Sequence, residues 1–274
     1  MKYISICVLL IACIVACGCT AEKLQEKHVA GGNMSVIFID VGQGDSELII
    51  YNNTATLIDG GGTEYGATVV HTLREYGISH LDYVILTHEH MDHMGGLATV
   101  ENEYDIHNFV YSTCDTKFCI VHLLNPSSGQ KMRARAGTML DLDPDVNMRV
   151  LSPPDARFTD VNDNSVVMLL TYGDSSFLFM GDAEKGAEEV MLDTYTWELN
   201  VDVLKVGHHG SSGSVTQEFL QVTTPKLVVI SVGENNQYGH PAESTLNLLS
   251  KIPILRTDIE GTIVIETDGK EIRI

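Results

Sequence analysis

From Ser35 onward the chain alternates short apolar runs with breaks rich in glycine, asparagine and proline. Residues 36–41 and 47–51 each read as a buried strand, and Asn52-Asn53 turns the chain into a third strand, 55–58, ending at Asp59-Gly60-Gly61-Gly62. The period then changes. Val69, Leu73 and Tyr76 fall at i, i+4 and i+7, which predicts a helix over 67–76 with Gly77 at its C′ position. A strand at 81–86, a helix at 96–104 and strand pieces at 109–112 and 149–152 follow. Residues 166–172 and 176–180 form a hairpin about Gly173-Asp174, and 263–274 form another about Asp268-Gly269. Between the hairpins come strands at 202–206 and 226–232. A helix at 215–222 is capped by Ser214 with Gln217, and one at 242–251 has Pro241 at N1. Strands alternating with helices place the chain in the α/β class.

The polar residues that interrupt this pattern gather just after predicted strands. Thr87-His88-Glu89-His90-Met91-Asp92-His93 follows the 81–86 strand, with spacings that let a tight turn aim His88, His90 and Asp92 at one point. Imidazole and carboxylate suit zinc, manganese or iron, and the lack of cysteine argues against a closed structural zinc site. His208-His209 follows the 202–206 strand, beside the start of the 215–222 helix, whose free amides suit an anion such as phosphate. His240 precedes Pro241 at another helix entry, where it reads either as a general acid or phosphate contact, or as a structural residue of that entry. His71, His80 and His107 have no partner pattern and read as surface or core residues.

His-x-His-x-Asp-His after a strand resembles the metallo-β-lactamase superfamily. The stretches Phe38-Ile39-Asp40-Val41-Gly42-Gln43-Gly44-Asp45-Ser46, Lys205-Val206-Gly207-His208-His209-Gly210-Ser211 and Tyr238-Gly239-His240-Pro241 are similar to the hydrolase domain of ComEC-type DNA-uptake channel proteins. The resemblance implies a four-layer αβ/βα sandwich with the site at one edge. It also implies two divalent metals, zinc first and manganese second. His88 and His90 would bind one, Asp92 and His93 the other, with Asp182 between them and one of His208 and His209, preferably His209, as a further ligand. Asp59 would support the histidine motif from behind, while Asn164, Ser165 and Ser211 would support the shell or meet substrate. Asp92 and His240 are the expected catalytic residues. Most superfamily members carry a histidine just before the 166–180 hairpin, where this chain has Asn162 and Asn164, which leaves the first metal with an open position.

Composition adds limits. Across 274 residues, 44% are hydrophobic and 20% charged, an ordinary globular balance, but the formal net charge is −20. That surface repels polyanions and speaks against an extended nucleic-acid-binding face. Residues 1–19 read as a targeting segment: Lys2, an apolar run over 4–16, then Ile14-Val15-Ala16-Cys17, which resembles a lipobox. Cys17 is the expected lipidation site, with Cys19 second, and a simple cleaved signal or an uncleaved anchor is the alternative. Either way the protein is expected outside the cytoplasm. Residues 20–33 read as a flexible tether and 34–274 as the hydrolase domain. Cys114 and Cys119 are expected to form a disulfide rather than hold metal. The expected activity is phosphodiester hydrolysis by a metal-activated hydroxide, on single-stranded DNA or a surface phosphodiester. Amide or ester hydrolysis of the β-lactam kind, and a non-catalytic metal-binding partner of a DNA-uptake channel, are the alternatives. The oligomeric state is not legible.

Overall fold

The computed structural model describes residue 27 and residues 32–113 and 129–274. Cys17, Cys19, Cys114 and Cys119 lie outside the described residues, and with them the lipobox and disulfide expectations. One sheet is built from β1 (Met34–Phe38), β2 (Glu47–Tyr51), β3 (Thr54–Ile58), β4 (Leu81–Leu86), β5 (Ile106–Tyr111) and β6 (Lys131–Arg133). The other holds β7 (Met139–Asp143), β8 (Val146–Ser152), β9 (Val167–Tyr172), β10 (Ser175–Phe179), β11 (Val203–Lys205), β12 (Leu227–Ile230) and β13 (Ile254–Arg256). The chain then returns to the first sheet as β14 (Ile263–Thr267) and β15 (Ile272–Arg273), giving the order β15-β14-β1-β2-β3-β4-β5-β6 opposite β13-β12-β11-β10-β9-β8-β7.

Each sheet is antiparallel on one side and parallel on the other, with β3 through β6 parallel in one and β10 through β13 parallel in the other. Parallel strands must be covered on both faces, which explains why their sequences read as continuous apolar runs. Met34, Val36, Phe38, Phe177 and Phe179 pack between the sheets, and the Phe38 and Phe179 rings lie 6.1 Å apart. Helices α1 (Gly66–Glu75) and α3 (Leu97–Glu103) bury Val69, Leu73, Leu97 and Val100 on the outside of the first sheet. Helices α4 (Lys185–Tyr195), α5 (Gln217–Thr223) and α6 (Glu243–Leu249) bury Ala187, Met191, Phe219 and Leu249 on the outside of the second. Short turns of helix, α2 (Met91–Met94) and α7 (Thr257–Glu260), complete the description. The result is the four-layer sandwich.

Three local readings change. β1 ends at Phe38, because Asp40 donates its backbone N–H to Thr262 Oγ1 (3.1 Å) and leaves the ladder. The cap of α5 is Thr216, whose hydroxyl accepts the Phe219 N–H at 3.2 Å, and not Ser214. The Thr216 N–H itself goes to Glu188 at 3.0 Å, so a carboxylate of the protein already sits where a phosphate was expected. Pro241 lies before the α6 cap, Ala242, and not at the first helical position.

Candidate metal centre

The loops that leave the parallel strands meet along one edge of the sandwich. Thr87, the first residue after β4, donates its N–H (2.8 Å) and its hydroxyl (2.6 Å) to Asp59 at the end of β3. Asp59 is fully buried, and its Oδ2 also lies 2.7 Å from His93 Nδ1. One carboxylate thus fixes the start of the loop and turns the His93 ring so that Nε2 faces inward. α2 brings Asp92 and His93 onto a single turn, with the His93 N–H donating to the His90 carbonyl at 3.1 Å. Gly44 lets the 42–45 loop lie against this turn: a Cβ on it would stand 2.3 Å from the Asp92 carbonyl oxygen.

Asp182 stands in the middle. Gly181 takes a left-handed φ of 55° after β10, and the Asp182 N–H donates to Ser165 Oγ at 3.1 Å. Its Oδ1 lies 3.2 Å from His93 Nε2 and 3.6 Å from His209 Nε2, while Oδ2 lies 3.5 Å from His88 Nε2 and 4.0 Å from His208 Nε2. His90 Nδ1 is 2.9 Å from His88 Nε2, and His209 Nε2 is 3.3 Å from Asp92 Oδ2. His93 Nε2, His209 Nε2 and Asp182 Oδ1 are buried with no hydrogen-bond partner. Orphaned buried donors and acceptors are costly, and here they converge on one point, as ligands do around a cation. The donor set fits divalent metal: His88, His93 and Asp182 lie within reach of one ion and so do Asp92, His93 and His209, while His90, expected beside His88 as a ligand, falls in neither group.

Electrostatics agree with that fit. Burial is the largest single influence and lowers both His93 and His209, but the neighbouring carboxylates together outweigh it, Asp182 with Asp59 for the first and Asp182 with Asp45 for the second; His93 ends well above its ordinary value and His209 is pushed up to about 10. Burial works against the ionised form of Asp182, yet His93 and His209 hold it well below the usual carboxylate range. His88, buried beside His93, is pushed down and stays neutral, as a ligand must. The centre is a negative field that takes up positive charge.

The paired histidines separate in role. His209 is buried, its Nδ1 lying 3.0 Å from the Ser231 carbonyl and 3.2 Å from Asp45 Oδ1, which leaves Nε2 for the centre. His208 is part-exposed and its Nδ1 lies 2.7 Å from Glu184 Oε1, with Asn162 Nδ2 at 3.3 Å. Both residues hold left-handed backbone (φ of 42° and 51°), a strained pair that persists because the surrounding contacts over-determine it. Ser165 Oγ is 3.4 Å from His88 Nδ1. Ser211 does not face substrate: its hydroxyl is given to Glu184 and its carbonyl accepts from Thr245 at 2.6 Å. Asn164 is also spent elsewhere, accepting the Phe158 N–H and donating to the Phe158 and Asp160 carbonyls, so Asn162 is the asparagine that meets the centre.

Asp45, Lys205, Glu184 and Asn236 were not legible as functional residues. Asp45 is fully buried, ion-paired with Lys205 and set behind His209; Lys205 also donates to the Gly181 carbonyl at 3.0 Å. The available signal was a lysine inside the apolar run 203–206. Asn236 staples the loop that carries His240, donating to the Gly233 and His240 carbonyls (2.9 and 2.6 Å) and accepting the His240 N–H (3.0 Å). The His240 ring stands 5.4 Å from that of His208, nearly perpendicular, with Nδ1 buried and unpartnered. It lines a cavity of about 320 Å³ with Gln43, His90, Asp92, Asp182 and His209.

The sequence profile of the metallo-beta-lactamase superfamily matches residues 39–234. The chain is 33% identical over 254 residues to ComE operon protein 3 of Bacillus subtilis (strain 168), covering 83% of this chain and 32% of that protein. It is 31% identical over 242 residues to competence protein ComA of Neisseria gonorrhoeae, covering 87% and 33%. The chain therefore spans about a third of the length of the curated relatives it matches. Among solved structures, the metallo-beta-lactamase fold protein YhfI of Bacillus subtilis superposes with a TM-score of 0.59 at 12% identity, over 86% of this chain and 99% of that one.

Proposed function

The chain belongs to the metallo-beta-lactamase superfamily, and from that premise we propose that it is a metal-dependent hydrolase of phosphodiester bonds. The observation that carries the reading is His240, an imidazole with a buried, unpartnered nitrogen, in the same cavity as the converging donors. His88, His90 and Asp182 would hold one metal and Asp92, His93, His209 and Asp182 the other, zinc first and manganese second. Such metals, when bound, act as Lewis acids and make water a nucleophile at neutral pH. The remaining work falls to the chain. Asp92, held ionised by His209 and His93 against its own partial burial, orients the attacking water as well as serving the metal. His240 gives a proton to the leaving alkoxide. Burial, then His208 and His209, lower its proton affinity, and the charge of an arriving phosphodiester anion opposes that lowering.

The substrate class is a phosphodiester in single-stranded DNA or on a cell surface. A chain with a formal net charge of −20 suits engagement of one or two phosphates at the cavity rather than a long duplex. Turnover of bis-p-nitrophenyl phosphate with added zinc or manganese, and none of a chromogenic β-lactam, is the expected outcome. The reverse pattern makes the protein an amide hydrolase, and turnover of neither makes it a non-catalytic partner. Export with lipidation at Cys17 completes the proposal. Mass spectrometry of the mature N-terminus tests it, since a free N-terminus beginning after residue 19 rules lipidation out.

A further inference from the structure

A second group of metal-ligating side chains lies at the other end of β4, about 20 Å along the strand from His88 at ~3.3 Å per residue. His80 immediately precedes β4, Asp82 is its second residue, and His107 is the second residue of β5. The two strands are parallel, with Leu81 paired to Ile106 and Tyr83 to Asn108, which sets Asp82 beside His107. Residues 80 and 82 point to the same side of an extended chain. The sheet therefore assembles the trio without help from a loop.

We infer that His80, Asp82 and His107 form a further divalent-cation site, zinc by the chemistry of its donors, separate from the catalytic centre. His80 Nε2 lies 3.4 Å and His107 Nδ1 3.6 Å from the same oxygen, Asp82 Oδ1, and one donor atom from each residue lies within 4.8 Å of the others. Donors around a tetrahedral zinc with bonds of about 2.0–2.2 Å stand about 3.3–3.6 Å apart, so these two separations need almost no adjustment. The imidazole rings are 4.5 Å apart at 29°.

The groups behind these donors are placed as a metal site requires. His80 Nδ1 is 3.1 Å from Ser79 Oγ, a hydroxyl able to accept from a protonated Nδ1 when Nε2 serves as the ligand. Asp82 Oδ2 accepts the Ala55 N–H at 2.9 Å, and Asn108 Nδ2 donates to the Asp82 carbonyl at 3.0 Å, so Oδ1 is held in place. Side-chain exposures of 36% for each histidine and 26% for Asp82 let water complete the fourth position. Two imidazoles and a carboxylate on strand ends match the three-ligand, one-open-position pattern of zinc sites.

The test compares the whole chain with His80→Ala and His107→Ala, each stripped with chelator, loaded with zinc, desalted and measured by elemental analysis alongside circular dichroism. Each variant is expected to bind one zinc per chain fewer than the unsubstituted protein, with unchanged far-ultraviolet dichroism and unchanged hydrolysis of bis-p-nitrophenyl phosphate. The histidines are substituted because Asp82 also anchors β3 through Ala55. The readout is a difference, so it holds whatever number of metals the catalytic centre takes and whether or not that centre is a phosphodiesterase. Equal zinc content in all three proteins overturns the site. So does a zinc that is lost only on His88→Ala.

Discussion

β4 carries a histidine–carboxylate cluster at each end, and the two ends differ in what stands behind the donors. At the end leading into His88, the donors His88, His93, Asp182 and His209 are buried, and Asp59, Asp45, Ser165 and the Ser231 carbonyl fix their geometry. At the end leading from His80, the donors are more than a quarter exposed and rest on Ser79 and one backbone amide. Water can solvate the second cluster when no cation is present. The orphaned nitrogens and oxygen of the first have no hydrogen-bond partner in the protein, so there the native packing itself favours a bound cation. The same residue types make a structurally committed centre in one place and an optional site in the other, and burial decides which.

The comparison is tested most severely by removing a donor from each end. His88→Ala or Asp182→Ala should lower phosphodiester turnover by about 10³-fold or more and lower bound metal, since several kcal/mol of charge stabilisation is lost. His80→Ala should leave turnover within about twofold, and equal losses at both ends would erase the distinction. His240→Ala should slow esters with poor leaving groups by about 10²–10⁴-fold while p-nitrophenyl esters suffer far less and metal content holds. A loss of metal, or an equal loss on both ester types, would move His240 out of the proton-donor role.

The support of the buried end is open to a subtler attack. Asp45→Ala leaves Lys205 buried without its partner, a cost of about 3–5 kcal/mol. It should also weaken metal binding by about 10–100-fold through the released His209 ring. Adding Lys205→Met should restore much of the thermal midpoint and little of the metal affinity. If both return together, Asp45 serves folding alone.

The smallest expected effect concerns a buried carboxylate outside the centre. Burial pushes Glu188 up to about 7, against the amide and hydrogen bond of Thr216. A carboxyl raised on folding holds its proton better in the native state, so its stabilisation is present below the unfolded value of about 4.5 and declines as pH rises through about 7. Glu188→Gln should therefore stabilise the protein at pH 8 by on the order of 1–3 kcal/mol, read as a higher melting temperature than that of the unsubstituted protein, and change it little at pH 4. A larger gain at pH 4 than at pH 8 would reverse the sign argument.

Much of the architecture was legible because strand runs, turns and the helical period were clean: β2, β4 and the 173–174 and 268–269 turns fall where the pattern puts them. The ligand stretch was legible because its donors are contiguous. Residues that act through a neighbour were not. Asp45 and His209 are 164 positions apart in sequence, and no local spacing announces a carboxylate that will stand behind a ring. The cap of α5 was misplaced by two residues because Ser214 and Thr216 are both competent hydroxyls, and the Glu188 carboxylate on α4 settles which amide begins the helix. His80 and His107 show no partner along the sequence for the same reason: only the parallel register of β4 and β5 brings them together.

The pairing of β1 with β14 also sets where mechanical load enters the sandwich. Met34 faces Thr267 across one ladder, and β15 lies one strand further out and runs back beside β14, so Met34 and Arg273 are separated by about 10 Å. Entry and exit share one margin of one sheet, on a face away from the loops that follow β4, β10 and β11. A pull or a crowding group at that margin meets the β1–β14 ladder first and the edge that carries His88, Asp182 and His209 last.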